Sequence, residues 1–293
     1  HIITSYSVIA DSQIKEVEFM DGSTYKAEII GSDPYSDIAV LLAKGVPENK
    51  LEPVEFINNS SNVLVGEQAA TIGNPFDIKG LLSDGIISGV HKAFPSTSSP
   101  YDTYAVSFPI VDTIISTVVT NPGSAGGPLF NMKGQVIGMN SGVYSSSGEY
   151  AGISIAVPSN TLKKTVPQII STGTYKYPWL GISGFDLTSD MRTAIGLNNT
   201  NTRGVLVNAV APGSPADLAG ISIGTSEKNV NIGNNKSANT DSDIIIGIDT
   251  KPVSKIDDIL NYINSKSIDD TIKLKILRNG ELQNMNVTLT GRP

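Results

Sequence analysis

The densest chemical signal in the chain is the run Asn121-Pro-Gly-Ser-Ala-Gly-Gly-Pro-Leu-Phe130. Gly126 and Gly127 directly follow Ala125, and Gly123 stands two positions before it. Glycine tolerates positive φ, so such a run turns tightly and aims successive backbone N–H groups into one concavity. A cradle of that kind stabilises a negatively charged oxygen, including one that develops during reaction. Reactive side chains, by contrast, are scarce. Ala125, at the centre of the run, carries no heteroatom. The chain has two histidines, His1 and His91, and no cysteine, so disulfides and thiolate metal sites are excluded. No metal and no cofactor is expected.

The elements around this loop read as short strands. Val17-Glu-Phe19 and Tyr25-Lys-Ala-Glu-Ile29 alternate apolar and polar residues about an Asp21-Gly22 turn, which predicts a hairpin. Similar runs recur at Ile38–Leu42, Gln68–Ile72, Gly85–Val90, Ala105–Val111, Gly134–Met139 and Ile153–Val157. Many short strands with little helix, up to about Asn160, predict a β-barrel or sandwich. A helix follows, with Ser159 as N-cap, Gly173 as stop, and Leu162, Val166, Ile169 and Ile170 on one face. Pro167 is expected to kink or shorten it.

From Tyr177 the pattern changes to α+β. Ser214-Pro215 through Gly220 punctuates a short helix. Gly204–Val207 and Asp243–Ile248 read as buried strands. Ser254 caps a longer helix bearing Ile256, Ile259, Leu260 and Ile263, and Asn279-Gly280 closes a hairpin. The Asn-, Ser- and Lys-rich stretch between Gly220 and Asp243 reads as a mobile surface loop.

At 293 residues the chain is long enough for two cores. Its net charge of −7, without a basic cluster, argues against nucleic acid or an anionic membrane as partner. No apolar run is long enough for an integral membrane span. Asn-x-Ser/Thr triplets at Asn58, Asn59, Asn198, Asn235 and Asn286, with low charge and absent cysteine, tilt the expected location toward extracytoplasmic. A first residue of His1 predicts a processed or truncated piece.

The 121–130 run resembles the nucleophile loop of chymotrypsin-fold serine proteases, and Gly134-Gln-Val-Ile-Gly-Met-Asn140 narrows the resemblance to the HtrA/Deg family. Thr4-Ser-Tyr-Ser7-Val-Ile-Ala10 resembles that family's histidine segment. Gly31-Ser-Asp-Pro-Tyr-Ser-Asp37-Ile-Ala-Val40 resembles its aspartate segment, and Gly73-Asn-Pro-Phe76 and Ser83–Gly89 match two further landmarks. The resemblance implies a mainly β chain. A chymotrypsin-like double six-stranded β-barrel would span residues 1–158, its opening strand being a candidate for absence. A linker helix would follow at 159–176, then an α+β PDZ domain at 177–293 with an inserted loop at 221–242. It also places Ala125 at the nucleophile, Ser7 at the histidine and Asp37 at the orienting acid, with the N–H groups of Gly123 and Ala125 as oxyanion hole. In the PDZ domain it implies a carboxylate-binding loop at Trp179, Leu180, Gly181 and Ile182, and Ile256 and Leu260 beside the peptide groove.

Acyl transfer needs a nucleophile and a base, and neither Ala125 nor Ser7 supplies one. A single Ser→Ala exchange made on purpose would account for Ala125 alone. The second loss at Ser7, and Thr117 where the family shows Asp, favour natural inactivation. The resulting expectation is an HtrA-like pseudoprotease that binds unfolded polypeptides or C-terminal peptides, in a homo-oligomer that the family resemblance makes a trimer. Two alternatives stay open at this point: a genuine serine endopeptidase in inactivated form, and a PDZ-based scaffold.

Overall fold

The computed structural model describes residues 1–10, 12, 15–95, 109–143, 150–197, 201–225, 229–233 and 236–293. Strands β1 (Ile2–Thr4), β2 (Glu16–Glu18), β3 (Thr24–Asp33) and β4 (Ile38–Ala43) form an antiparallel sheet in the order β1-β4-β3-β2. The β2–β3 turn follows from Asp21-Gly22. Gly22 takes φ 81°, and the Asp21 carboxylate accepts from the N–H (3.0 Å) and hydroxyl (2.6 Å) of Ser23. One helical turn, α1 (Tyr6–Ile9), follows β1.

Among the described residues this sheet stays open, with four strands where a first six-stranded barrel was expected. Residues 44–67 carry Pro47 and Pro53 and fold into loops with 3-10 turns at Glu48–Lys50 and Ser60–Asn62. Proline supplies no ladder donor, and the stretch contributes one isolated bridge, from Phe56 to Val136.

The second half of the unit does close. Strands β5 (Gln68–Gly73), β6 (Leu81–Pro95), β7 (Pro109–Ser116), β8 (Pro128–Asn131), β9 (Val136–Val143) and β10 (Ser154–Pro158) form a barrel in the order β10-β7-β6-β5-β8-β9. Ala69, Ile87, Ile114, Val118, Leu129 and Ile137 fill its interior. The part of the expected strand at 105–108 lies outside the described residues, as do Asn198 and Asn235.

Helix α2 (Ser159–Thr172) buries Leu162, Val166 and Ile169 against Ile38, Val40, Met139 and Val157. It ends at Gly173, whose φ is 82°. Two expectations about it fail. Pro158, not Ser159, occupies the N-cap, because the Ser159 hydroxyl donates instead to the Val136 carbonyl at 2.6 Å. Pro167 does not shorten the helix: it lies on the exposed face, while the buried face packs on the core through to Ile169.

Among the described residues a second compact unit begins at Lys176. Strands β11 (Pro178–Trp179), β12 (Ile182–Asp186), β13 (Val205–Val210), β14 (Asn229–Gly233), β15 (Lys236–Asn239), β16 (Ile244–Ile248), β17 (Lys251–Pro252), β18 (Thr271–Arg278), β19 (Glu281–Thr288) and β20 (Thr290–Gly291) alternate with three helices. These are α3 (Ser189–Ile195), α4 (Pro215–Leu218) and α5 (Ile256–Asn264). The main sheet runs β12-β13-β16-β18-β19, with β17 pairing β16. Its core combines Leu180, Val205, Val207, Ile245, Ile248, Leu274 and Ile276 with Ile259 and Ile263 of α5.

Ser214 caps α4 ahead of Pro215, and Asn279 (φ 51°) and Gly280 (φ 82°) make the β18–β19 turn, both as read from sequence. Ser254 is not the cap of α5. Lys255 holds that position, and Asp258 accepts from the N–H groups of Ser254 (2.8 Å) and Lys255 (3.1 Å). The stretch expected as a bare loop carries the β14–β15 hairpin, tied at its base by Asn239 Nδ2 donating to the Ile223 carbonyl at 3.1 Å.

Candidate active site and peptide groove

The glycines at 123 and 126 are dictated by space as well as by turn geometry. Gly123 has φ 96°, and a Cβ there would fall 2.4 Å from the Asn74 carbonyl oxygen. Gly126 has φ 79°, and a Cβ there would fall 2.2 Å from Thr4 Oγ1 and 2.8 Å from the Ser5 nitrogen. The loop is thus wedged between the Asn74-Pro75 turn and the end of β1. Backbone bonds fix it: Ser124 N–H to Asn121 O (2.8 Å), Gly126 N–H to Asn140 O (2.8 Å) and Gly127 N–H to Ser124 O (3.1 Å). Among the described residues, the N–H groups of Gly123 and Ala125 meet no acceptor. They alternate with the engaged donors and are free to bind an oxygen.

Ser124 is 3% exposed and its Oγ accepts from the Asn121 N–H at 3.3 Å. It is packed into the loop rather than presented as a nucleophile. His91 lies within β6, and His1 is exposed ahead of β1. Thr117 Oγ1 accepts from the Ile86 N–H at 3.0 Å, a strand-edge role.

Asp37 is buried, with φ 55°. Its Oδ1 accepts from the Ser7 N–H at 2.8 Å, and its Oδ2 accepts from the hydroxyls of Ser5 and, at 2.6 Å, Ser141. A hydroxyl has one proton to give. Since Ser5 donates to Asp37, it accepts from Ser7 Oγ, 2.7 Å away. The Ser7 side chain therefore reaches the carboxylate through Ser5, whereas its backbone reaches it directly. Sequence reasoning missed Ser5 and Ser141. Ser141 is distant in sequence, and no local pattern marks it.

In the second unit, Gly181 has φ 84°, and a Cβ there would fall 2.1 Å from the Ser214 Cβ. The Leu180 carbonyl accepts from Ala216 (2.9 Å) and the Gly181 carbonyl from Ala211 (2.9 Å), tying the loop to α4. The Leu180 and Gly181 N–H groups have no partner among the described residues. Leu180 is buried, and Trp179 and Ile182 are half-buried. Among the described residues strand β12 ends the sheet, and its outer edge has no partner strand. Ile256 and Leu260 of α5 are half-buried while Ile259 and Ile263 are buried. The apolar face of α5 thus divides into a core half and a half beside the open edge.

Comparison with known proteins agrees with both halves. The trypsin-like peptidase domain family matches residues 1–139 and the PDZ domain family matches residues 178–289. A probable periplasmic serine endoprotease DegP-like from Marinomonas sp. is 30% identical over the whole chain and 55% of its own length. Protease Do-like 1, chloroplastic, of Arabidopsis thaliana is 31% identical over the whole chain and 62% of its own length. The chain therefore spans a little over half the length of such curated relatives. Among solved structures, the HtrA-type protease AlgW with decapeptide matches with a TM-score of 0.75 and 27% identity, over 99% of this chain and 79% of that one. With both domains in this order and similarity along its whole length, the chain is a trypsin-like peptidase domain followed by a PDZ domain, of the HtrA/DegP type.

Proposed function

We propose that this chain is an HtrA-like pseudoprotease, which holds polypeptide in a cleft that no longer cuts and captures C-terminal peptides in its PDZ groove. In this reading Ala125 and Ser7 occupy the nucleophile and general-base positions, and Gly123 and Ala125 keep the oxyanion cradle. The observation that carries it is the satisfaction of Asp37. A carboxylate that would orient an imidazole is instead engaged by Ser5, Ser141 and the Ser7 N–H. An oxyanion cradle alone leaves an acceleration of about 10³–10⁴ over water, negligible beside a full triad. In the second unit the free N–H groups of Leu180 and Gly181 suit a terminal carboxylate, and the open edge of β12 suits an added strand.

The reading extends to location and assembly. Periplasmic relatives support an extracytoplasmic place. The exposed Met20, Phe76, Ile78 and Leu82 are apolar surface that a second or third copy would cover.

Casein digestion tests the reading. The unaltered chain and Ala125→Ser alone should both leave casein intact, since a serine without a base is not activated. Ser7→His with Ala125→Ser should restore cleavage. Casein cleavage by the unaltered chain sinks the proposal. A silent double variant that still binds peptide would point to the scaffold reading instead.

A further inference from the structure

We infer that Asp186 straps the far end of the peptide groove and sets its charge preference. This rests on the peptide-groove reading of the second unit. Asp186 is the last residue of β12, the open edge strand, and Ile256 is the first residue of α5, the helix beside it. The Ile256 N–H donates to Asp186 Oδ1 at 2.7 Å. This bond joins the end of β12 to the start of α5 and gives the first N–H of that helix an acceptor.

Its position follows from strand geometry. A peptide added antiparallel to β12, with its final residue at Ile182, reaches Asp186 at its fifth residue from the end. Residues nearer the terminus lie inside the strap and face Ile256 and Leu260. The fifth residue meets the carboxylate. Asp257 and Asp258 stand just behind on α5, and Asp258 is occupied in capping. Among the described residues Lys255, with Nζ 3.6 Å from Asp257, is paired with this group. The mouth of the groove is therefore net negative and favours a basic fifth residue over an acidic one. Asp186 touches the groove from outside the terminal pocket, so it tunes selection rather than carrying carboxylate capture.

Two fluorescein-labelled peptides ending Lys-Ala-Ser-Val-Val and Glu-Ala-Ser-Val-Val, titrated by fluorescence anisotropy, test this. The unaltered chain should prefer the lysine peptide by about three- to tenfold, the range of an exposed charge reversed in sign. High salt should erode that preference. Asp186→Asn keeps an acceptor for the Ile256 N–H and removes the charge, so both peptides should bind while the preference disappears. An undiminished preference in Asp186→Asn overturns the inference. Failure of the unaltered chain to bind either peptide, with no difference from C-terminally amidated controls, would instead overturn the groove reading on which it rests.

Discussion

The 121–130 loop of the first unit and the 179–182 loop of the second both present unpaired backbone N–H groups beside positive-φ glycines, yet in the proposed reading only the first would need side chains to function. Gly123 and Gly126 hold the 121–130 loop as tightly as Gly181 holds the 179–182 loop, each with a positive φ and no room for a Cβ. In the proposed groove those N–H groups would suffice, because binding a carboxylate needs donors and an open edge. In the cleft they would not, because cleavage also needs a nucleophile and a base. In the proposed reading, the side chains at positions 7 and 125 lack that chemistry while the glycine-built backbone loops remain in place. The same contrast appears in how each unit treats a buried carboxylate. Asp37 is answered by two hydroxyls and an N–H, Asp243 by an arginine and the Ser222 N–H.

Breaking that second pair should have the largest effect. Asp243 is fully buried, and Arg278 donates to it through Nε (2.7 Å) and a terminal nitrogen (2.7 Å) while also reaching the Gly220 carbonyl (2.7 Å). The same carboxylate holds the Arg278 guanidinium above its ordinary value. Removing one partner of a buried pair strands the other charge and costs about 3–5 kcal/mol. Arg278→Met should lower the melting temperature of the second unit sharply, read from the emission of Trp179, the single tryptophan. Ser141→Ala in the first unit leaves Asp37 with two donors and should cost only about 1–2 kcal/mol. Equal losses would mean that the two carboxylates are not solvated by different means.

The glycines offer a paired test of intermediate size. Gly126→Ala and Gly181→Ala each combine left-handed strain with overlap against neighbouring atoms, and each should cost about 2–4 kcal/mol. Calorimetry should show each change moving one transition and sparing the other. Peptide binding should fall for Gly181→Ala only. Loss of peptide binding in Gly126→Ala would show that the two loops do not act separately.

Much of this was legible in sequence, and what was not shares a physical cause. Asp21-Gly22, Asn279-Gly280 and Ser214-Pro215 announce their turns and cap because each is a local backbone requirement met by one residue type. The 121–130 loop is legible for the same reason. What escaped depends on partners distant in the chain. Ser141 gives its hydroxyl to an aspartate that no spacing rule connects to it, and Ser159 is drawn from the cap it was expected to fill by the Val136 carbonyl. The open first sheet escaped because Pro47 and Pro53 act on closure, a property of the whole sheet rather than of any one strand.

The smallest expected effect concerns two acids, one in each unit, Asp21 exposed and Asp249 half-buried. In the second unit Asp249 is held below its ordinary value of 3.8 chiefly by the Tyr262 hydroxyl at 2.6 Å, then by the Lys273 N–H at 2.8 Å, with Lys266 adding less. In the first unit Asp21 is also held low, chiefly by its ion pair with Lys50 and then by Ser23. A depressed carboxylate contributes stability above its ordinary pKa and loses it as pH falls toward the folded value. Both Asp249→Asn and Asp21→Asn should therefore flatten the acid limb of their own unit's melting curve below about pH 4, with no added loss there. Salt separates them. At about 0.5 M salt, ion pairs at the surface are screened, whereas short hydrogen bonds from neutral donors to a half-buried carboxylate are screened far less. The Asp21 effect should fade while the Asp249 effect persists. An Asp249 effect that vanished in salt would transfer its cause from Tyr262 to Lys266.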